Sequence, residues 1–290
     1  MGLGCLCGLF GYTRQSYYQQ RTRNVYQAIK EDVIIDKVVD KRKEMPRIGG
    51  RKLLYLLKKD GIHVGRDKLF DILRHENLLV KKRKCKVFTT QSKHWLTKYS
   101  NLIEGLVVTR ANKLWVADIT YIITDNGFVY LFLITDAYSR KIVGYDLSQT
   151  LECDGGIEAL KMALSQVTWQ ERIGLIHHSD RGVQYCSYKY VNLLHASKMQ
   201  ISMTQNGDPY ENALAERVNG ILKMEWIHSE QYHDFQQACC RIEEIIRIYN
   251  SSRPHLSCDM LTPDEAHNSQ GPLRKHWKKY KSKFYTSVNK

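Results

Sequence analysis

Proline is scarce, 5 in 290 residues, and glycine contributes only 18. Neither a collagen-like repeat nor a proline-rich disordered tract is possible at that level. With 43% hydrophobic and 26% charged residues, the chain has the balance of a globular protein with ample core. Long apolar runs are also missing. The stretch Gly2–Phe10 is too short to span a bilayer and has no basic region before it. No later segment approaches the roughly 18 uncharged residues that a span requires, so neither a signal peptide nor a membrane span is expected. The eight cysteines show no framework spacing and no paired CxxC, which suits a reducing cytoplasm. Cys5 and Cys7 read as small apolar residues, because Leu6 stands where a myristoylation motif needs Ser or Thr. His63, His75, Cys85 and His94 do not supply the spaced pairs of a zinc module.

Acidic residues are absent from positions 271–290, which hold 7 Lys/Arg, and are few in positions 1–100, with 9 against 23 Lys/Arg. The remaining middle holds 21 acidic and 14 basic residues, within a whole-chain net charge of +14. Basic ends suit a polyanion, since Lys and Arg that neutralise phosphates release condensed counterions. An acidic centre suits bare phosphate only if divalent cations reverse its sign locally.

Apolar positions Val25, Ile29, Val33 and Val38 form a loose helical stripe over 24–44, ended by Pro46. Arg51–Gly61 and Arg66–Asn77 read as two short helices joined by a glycine-containing turn. The second is basic, with Arg66, Lys68 and Arg74 on its outer side. That is a helix-turn-helix signature, with a plain helical hairpin as the alternative. Lys81, Lys82 and Arg83 open a basic linker suited to phosphate contact. The expected organisation is a helical DNA-binding region over 1–86, a linker over 87–108, a catalytic core over 109–270 and a basic tail over 271–290.

From residue 112 the period shortens to that of strands. Leu114–Ile122 and Phe128–Asp136 flank Asp125-Asn126-Gly127, a hairpin signal, and Lys141–Leu147 follows. A helix over 155–167, a strand over 175–180, a helix over 188–198 and a strand over 200–204 come next. Helices over about 211–226 and 234–249 complete the core. The order predicts an α/β fold: a mixed five-stranded sheet flanked by helices, preceded by an all-α region. Trp115, Tyr121, Tyr130 and Phe132 are expected in its core.

Three acids stand out. Asp118 interrupts a strongly apolar strand, where an ionised carboxylate is costly unless paired or metal-bound. Asp180 follows the fourth strand, where ligand sites of open α/β sheets gather. Glu216 follows Asp180 with 35 residues between them, on a helix that carries Asn212 and Lys223 along the same face. Each alone has a structural explanation: a buried base for Asp118, a helix cap for Asp180, a solvated face for Glu216. Together they suit a cage for two Mg²⁺, which would clamp attacking and leaving oxygens at a phosphorus. The contiguous His177, His178, Ser179 and Asp180 cannot form a hydrolytic triad, and Arg181 and Gln184 stand where DNA would approach.

WVADITYI, HHSDRGVQY and NGDPYENALAE with Lys223 resemble the DDE motif of insertion-sequence transposases related to retroviral integrases, in detail the OrfB products of two-frame bacterial insertion sequences. LFGYTRQSYY, IGGRKLLYLLKKDGIHVGRDKLFDILRHENL and YNSSRPHLSCDMLTPDEAH extend the likeness over almost the whole chain. Asp208, Glu211 and Cys258 depart from the usual residues without touching the triad. The resemblance implies an RNase H-like fold, with Asp118, Asp180 and Glu216 as catalytic and metal ligands for two Mg²⁺, Mn²⁺ being able to substitute. It implies Lys223 as a DNA contact near the cleaved phosphate, while Asn212, Arg181, Arg66, Lys68, Arg74, Lys81, Lys82 and Arg83 are further DNA-binding candidates from the residue reading above. It also implies terminal inverted repeats and target DNA as partners, a homo-oligomer on DNA, fusion to an upstream OrfA-type product, and a bacterial cytoplasmic, nucleoid-associated setting. A structure-specific RNase H-like nuclease or a non-catalytic DNA-binding regulator are the alternatives.

Overall fold

The computed structural model describes residues 2–81, 95–205 and 212–276. Lys82, Arg83, most of the 81–86 linker, Glu211 and the tail from 277 lie outside them. The chain divides into two compact units, Met1–Lys82 and Arg83–Lys290.

The first unit is helical: α1 (Leu3–Leu9), α2 (Arg14–Glu44), α3 (Gly50–Lys59) and α4 (Arg66–His75). Leu53, Leu56 and Leu57 of α3 meet Leu69, Ile72 and Leu73 of α4 in a small core closed by Ile34, Val38, Met45 and Ile48. Gly61, at φ +81°, ends α3 in the left-handed region that favours glycine. Gly50 lies against the Phe70 ring, where a Cβ would come within 2.9 Å. The helical pair read from the sequence is present. Helix α2 starts ten residues earlier than the stripe over 24–44 suggests, because its buried face, Ile34 and Val38, is not the face that carries Val25 and Ile29.

In the second unit β1 (Leu114–Thr124), β2 (Gly127–Asp136) and β3 (Ile142–Ser148) form an antiparallel meander. Thr124 pairs with Gly127 across the Asp125-Asn126 turn, and Gly127 takes φ +117°. After α5 (Cys153–Ser165) and α6 (Trp169–Arg172), β4 (Ile176–Ser179) returns parallel to β1. Helices α7 (Val183–Cys186) and α8 (Tyr188–Ala196) then lead to β5 (Gln200–Met203), parallel to β4. The sheet order is β3-β2-β1-β4-β5, the mixed five-stranded sheet expected. Helices α9 (Ala213–Glu225), α10 (Phe235–Ser251) and α11 (Pro263–His267) follow.

Side-chain alternation along β1 fixes which face the site occupies. Trp115 and Ala117 join Phe132, Ala159 and Leu160 in the main core, whereas Leu114 and Val116 pack with Ala215 of α9. Period two therefore carries Asp118 to the α9 side. Trp115 and Phe132 are fully buried, and Tyr121 and Tyr130 are half-buried.

Helix α5 rests on the sheet through glycine. A Cβ on Gly144 of β3 would lie 2.1 Å from the Ala159 carbonyl oxygen and 2.9 Å from the Ala163 Cβ, both fully buried neighbours. Gly144→Ala is expected to force α5 off the sheet and cost about 1–3 kcal/mol or more. Urea unfolding would show this as a lower midpoint at unchanged slope, and an unaltered midpoint would contradict the packing described.

Candidate active site

Strand β4 pairs with β1 at one constant offset, Leu114 with Ile176 and Val116 with His178. Continued past the last pair, that register sets Asp180 level with Asp118, on strands about 4.8 Å apart. The Asp118 carboxylate accepts from the Asn219 side-chain amide at 2.7 Å and from the Ile119 N–H at 3.0 Å. These donors do not offset its surroundings. Burial first, and the Asp180 carboxylate second, push the Asp118 pKa up to about 7, with Glu216 adding in the same direction. Asp180 and Glu216 thus both lie within electrostatic reach of Asp118, Asp180 acting on it more strongly than Glu216.

Asp180 is partly buried and accepts from the Gly182 N–H at 2.9 Å. A Cβ on Gly182 would come within 2.9 Å of that same carboxylate oxygen, so the turn is shaped around it. Glu216 is exposed in the first turn of α9, the end of a helix that favours an anion. Among the described residues no three His, Cys, Asp or Glu side chains stand at ligating distance. The carboxylates are neighbours and not a closed cage, as mutual repulsion between anions dictates.

Asp136 provides the contrast. Its fully buried carboxylate accepts from the N–H groups of Asn112, Tyr138 and Ser139 and from the Ser139 hydroxyl, all within 3.1 Å. Four donors make it a structural cap. Asp118 has two and faces other anions.

Other predicted residues fare variously. Asn212 is a correction: expected on the DNA-facing side, it is buried at the start of α9, its amide 3.4 Å from the Ala117 carbonyl oxygen, where it anchors the helix to β1. The Lys223 ammonium sits 4.1 Å from the centre of the Tyr121 ring. Arg181 is half-buried next to Asp180, and Gln184 donates to the Leu151 carbonyl. In the helical unit Arg66 pairs with Asp67 at 2.8 Å, Lys68 with Glu31 at 2.5 Å and Arg74 with Asp71 at 2.6 Å, while Lys81 is exposed. The cations of α4 are therefore matched by acids of their own unit.

His177 and His178 are structural. His177 lies within hydrogen-bond distance of the Tyr190 hydroxyl, 2.9 Å, and burial lowers its pKa to about 3, while His178 meets the Ser202 hydroxyl at 2.8 Å.

Three groups escape sequence reasoning. Asn219 is one turn beyond Glu216 on α9, and that spacing alone could have singled it out. The Tyr185 hydroxyl is buried close enough to Asp118 and Asp180 for both to raise its pKa, after burial and Tyr190. Arg253, 2% exposed, donates twice to Glu225 at 2.8 and 2.6 Å and pins the C-terminal end of α9.

Two models, both described as Integrase core domain, match residues 108–209 and 197–263. The chain is 34% identical over 262 residues to an uncharacterized 31 kDa protein of insertion element IS600 from Shigella sonnei, covering 89% of this chain and 96% of that one. It is 33% identical to the transposase for IS629 of the same organism, covering 87% and 86%. The chain belongs to the IS3-family insertion-sequence transposases. The transposase InsF for insertion sequence IS3A of Escherichia coli, 29% identical over 91% of this chain and 93% of its own length, is a further relative. Among solved structures, the simian T-cell lymphotropic virus intasome with a PP2A regulatory subunit aligns with this transposase at a TM-score of 0.48 and 16% identity, covering 79% of this chain and 75% of that one. An HTLV-2 integrase catalytic core in complex with magnesium aligns at 0.43 and 17%, covering 55% and 97%. The transposase is an enzyme of the polynucleotidyl transferase type with an integrase core domain.

The buried charge at Asp118 has a measurable cost. Its folded pKa lies above the usual 3.8, so the penalty is fully present above pH about 7 and fades as pH falls toward the ordinary carboxylate range. In chelator-treated protein, Asp118→Asn is expected to raise the melting temperature at pH 8 and to lose most of that advantage by about pH 4. A variant less stable than wild type at pH 8 would show that Asp118 is compensated by something else.

Proposed function

We propose that Asp118, Asp180 and Glu216 hold the divalent cations with which this transposase cuts the ends of its element and joins the freed 3′-hydroxyl to target DNA. The observation that carries this is the half-buried Asp118 carboxylate within electrostatic reach of Asp180 and Glu216, a concentration of negative charge that a divalent cation would relieve. The donor set is all oxygen and carboxylate, the chemistry of Mg²⁺, with Mn²⁺ able to substitute. Two such ions, when bound, would acidify a water and balance charge on the attacking and leaving oxygens of an in-line displacement.

The chain's own residues do the positioning. Asn219 orients the Asp118 carboxylate, and the turn through Gly182 fixes that of Asp180. The Glu225–Arg253 pair and the Asn212 contact hold α9 at its two ends, so that Glu216, exposed in the first turn, has only its own side chain to turn inward toward Asp118. Lys223, two turns along α9, grips a phosphate of the bound strand. The α3–α4 pair serves as a helix-turn-helix: Arg66, Lys68 and Arg74 exchange their acidic partners for phosphates on DNA, with Lys81, Lys82 and Arg83 continuing the contact.

The DNA partners are the terminal inverted repeats and the target. The protein works as a homo-oligomer, fused to an OrfA-type product that supplies end recognition, and in association with the nucleoid. No described helix is long and apolar enough to cross a membrane.

With terminal-repeat DNA and Mg²⁺, Asp180→Ala and Glu216→Gln are expected to lower cleavage and strand transfer on the order of 10²–10³-fold or more while DNA binding persists. Lys223→Ala should weaken binding to all sequences and reduce the slope of log affinity against log salt by about 1. Undiminished activity in Asp180→Ala would overturn the assignment. Cleavage without joining would favour a structure-specific nuclease.

A further inference from the structure

Helix α2 has two apolar sides, and only one of them is used. Ile34 and Val38 are buried in the helical unit, whereas Val25, Ile29 and Val33 are 55%, 55% and 48% exposed. At 100° per residue, Val25 and Ile29 lie on roughly the opposite side of the helix from Ile34 and Val38. Tyr18, Thr22, Val25 and Ile29 follow the alternating four- and three-residue spacing of a helix–helix seam, and every residue from Arg14 to Lys30 is exposed.

The charges along that seam select the occupant. Arg14 and Arg21 lie on its side at one end, and Asp32 and Asp36 at the other. Arg21, Asp32 and Asp36 make no ion pair among the described residues. A phosphate backbone would meet the two aspartates as well as the arginines, so the face is not that of a DNA-binding helix. A parallel copy would set Arg21 on Arg21 and Asp32 on Asp32. An antiparallel copy, centred between Val25 and Ile29, packs Val25 of each chain against Ile29 of the other. It also brings Arg21 of each chain within one turn of Asp32 and Asp36 of the other, at both ends of a seam about 35 Å long.

We infer that the exposed side of α2 pairs antiparallel with α2 of a second copy of this chain, forming a two-fold dimer contact in the N-terminal unit. The inference deepens the proposed oligomer but not the catalytic assignment, because it is tested without DNA or metal.

The test is the mass of the full chain across a concentration series by sedimentation velocity, with circular dichroism to confirm that each variant is folded. Wild type is expected to dimerise. Ile29→Asp, at an exposed position that leaves the fold intact, is expected to weaken dimerisation about tenfold or more. Arg21→Glu and Asp32→Arg should each weaken it, and the two together in one chain should restore it, since the antiparallel pair then exchanges its charges symmetrically. A monomeric wild type, an Ile29→Asp variant of unchanged mass, or a double variant without rescue would each overturn the inference. Loss of DNA binding in these variants at unchanged mass would do so too, and would make the face a nucleic-acid contact.

Discussion

Asp118 is a carboxylate that the hydrophobic core places where a carboxylate is least comfortable. It sits half-buried on the central strand of the sheet, directly after the buried run Leu114–Ala117, and a second acid, Asp180, follows the end of β4 alongside. Dispersing the charge would need either solvent or cations. Among the described residues the carboxylate accepts hydrogen bonds from Asn219 and the Ile119 N–H. Asp136, on the neighbouring strand and more deeply buried, shows that the same fold can satisfy an aspartate fully when it acts as a cap.

The surrounding architecture holds that corner still. Alternation along β1 turns Asp118 toward α9, and α9 is tied at its start by Asn212 to Ala117 and at its end by the buried Arg253–Glu225 pair. On the other face, Gly144 and Gly155 let α5 approach the strands so closely that a methyl group does not fit. Rigid packing there keeps β2 and β3 in register with β1, and hence fixes where Asp118 emerges. If Asp118 serves the proposed chemistry, stability and activity pull against each other at this residue.

Much of this was legible in the sequence because its signals are local. Period-two patterning located all five strands, the Asp125-Asn126-Gly127 turn located the hairpin, and an acid inside an apolar strand marked Asp118. Less was legible where the cause is tertiary. Asn212 has the residue type of a surface contact, and only the approach of α9 to β1 buries it. Arg66, Lys68 and Arg74 read as free positive charge, yet each has an acidic partner, one of them on a different helix. The length of α2 was obscured because its buried side and its exposed apolar side are on opposite faces, so no single stripe runs the length of the helix. Tyr185 and Arg253 carry no local signal at all, since their roles follow from elements that meet only in the folded chain.

The account depends on a cation settling between Asp118 and Asp180, with Glu216 completing its ligands. Crystals of the full chain grown with Mn²⁺ and recorded for anomalous scattering test it most directly. Density between the Asp118 and Asp180 carboxylates, with Glu216 turned inward, is the predicted result. A manganese site bound elsewhere, with Asp118 still held only by Asn219 and the Ile119 amide, would contradict it.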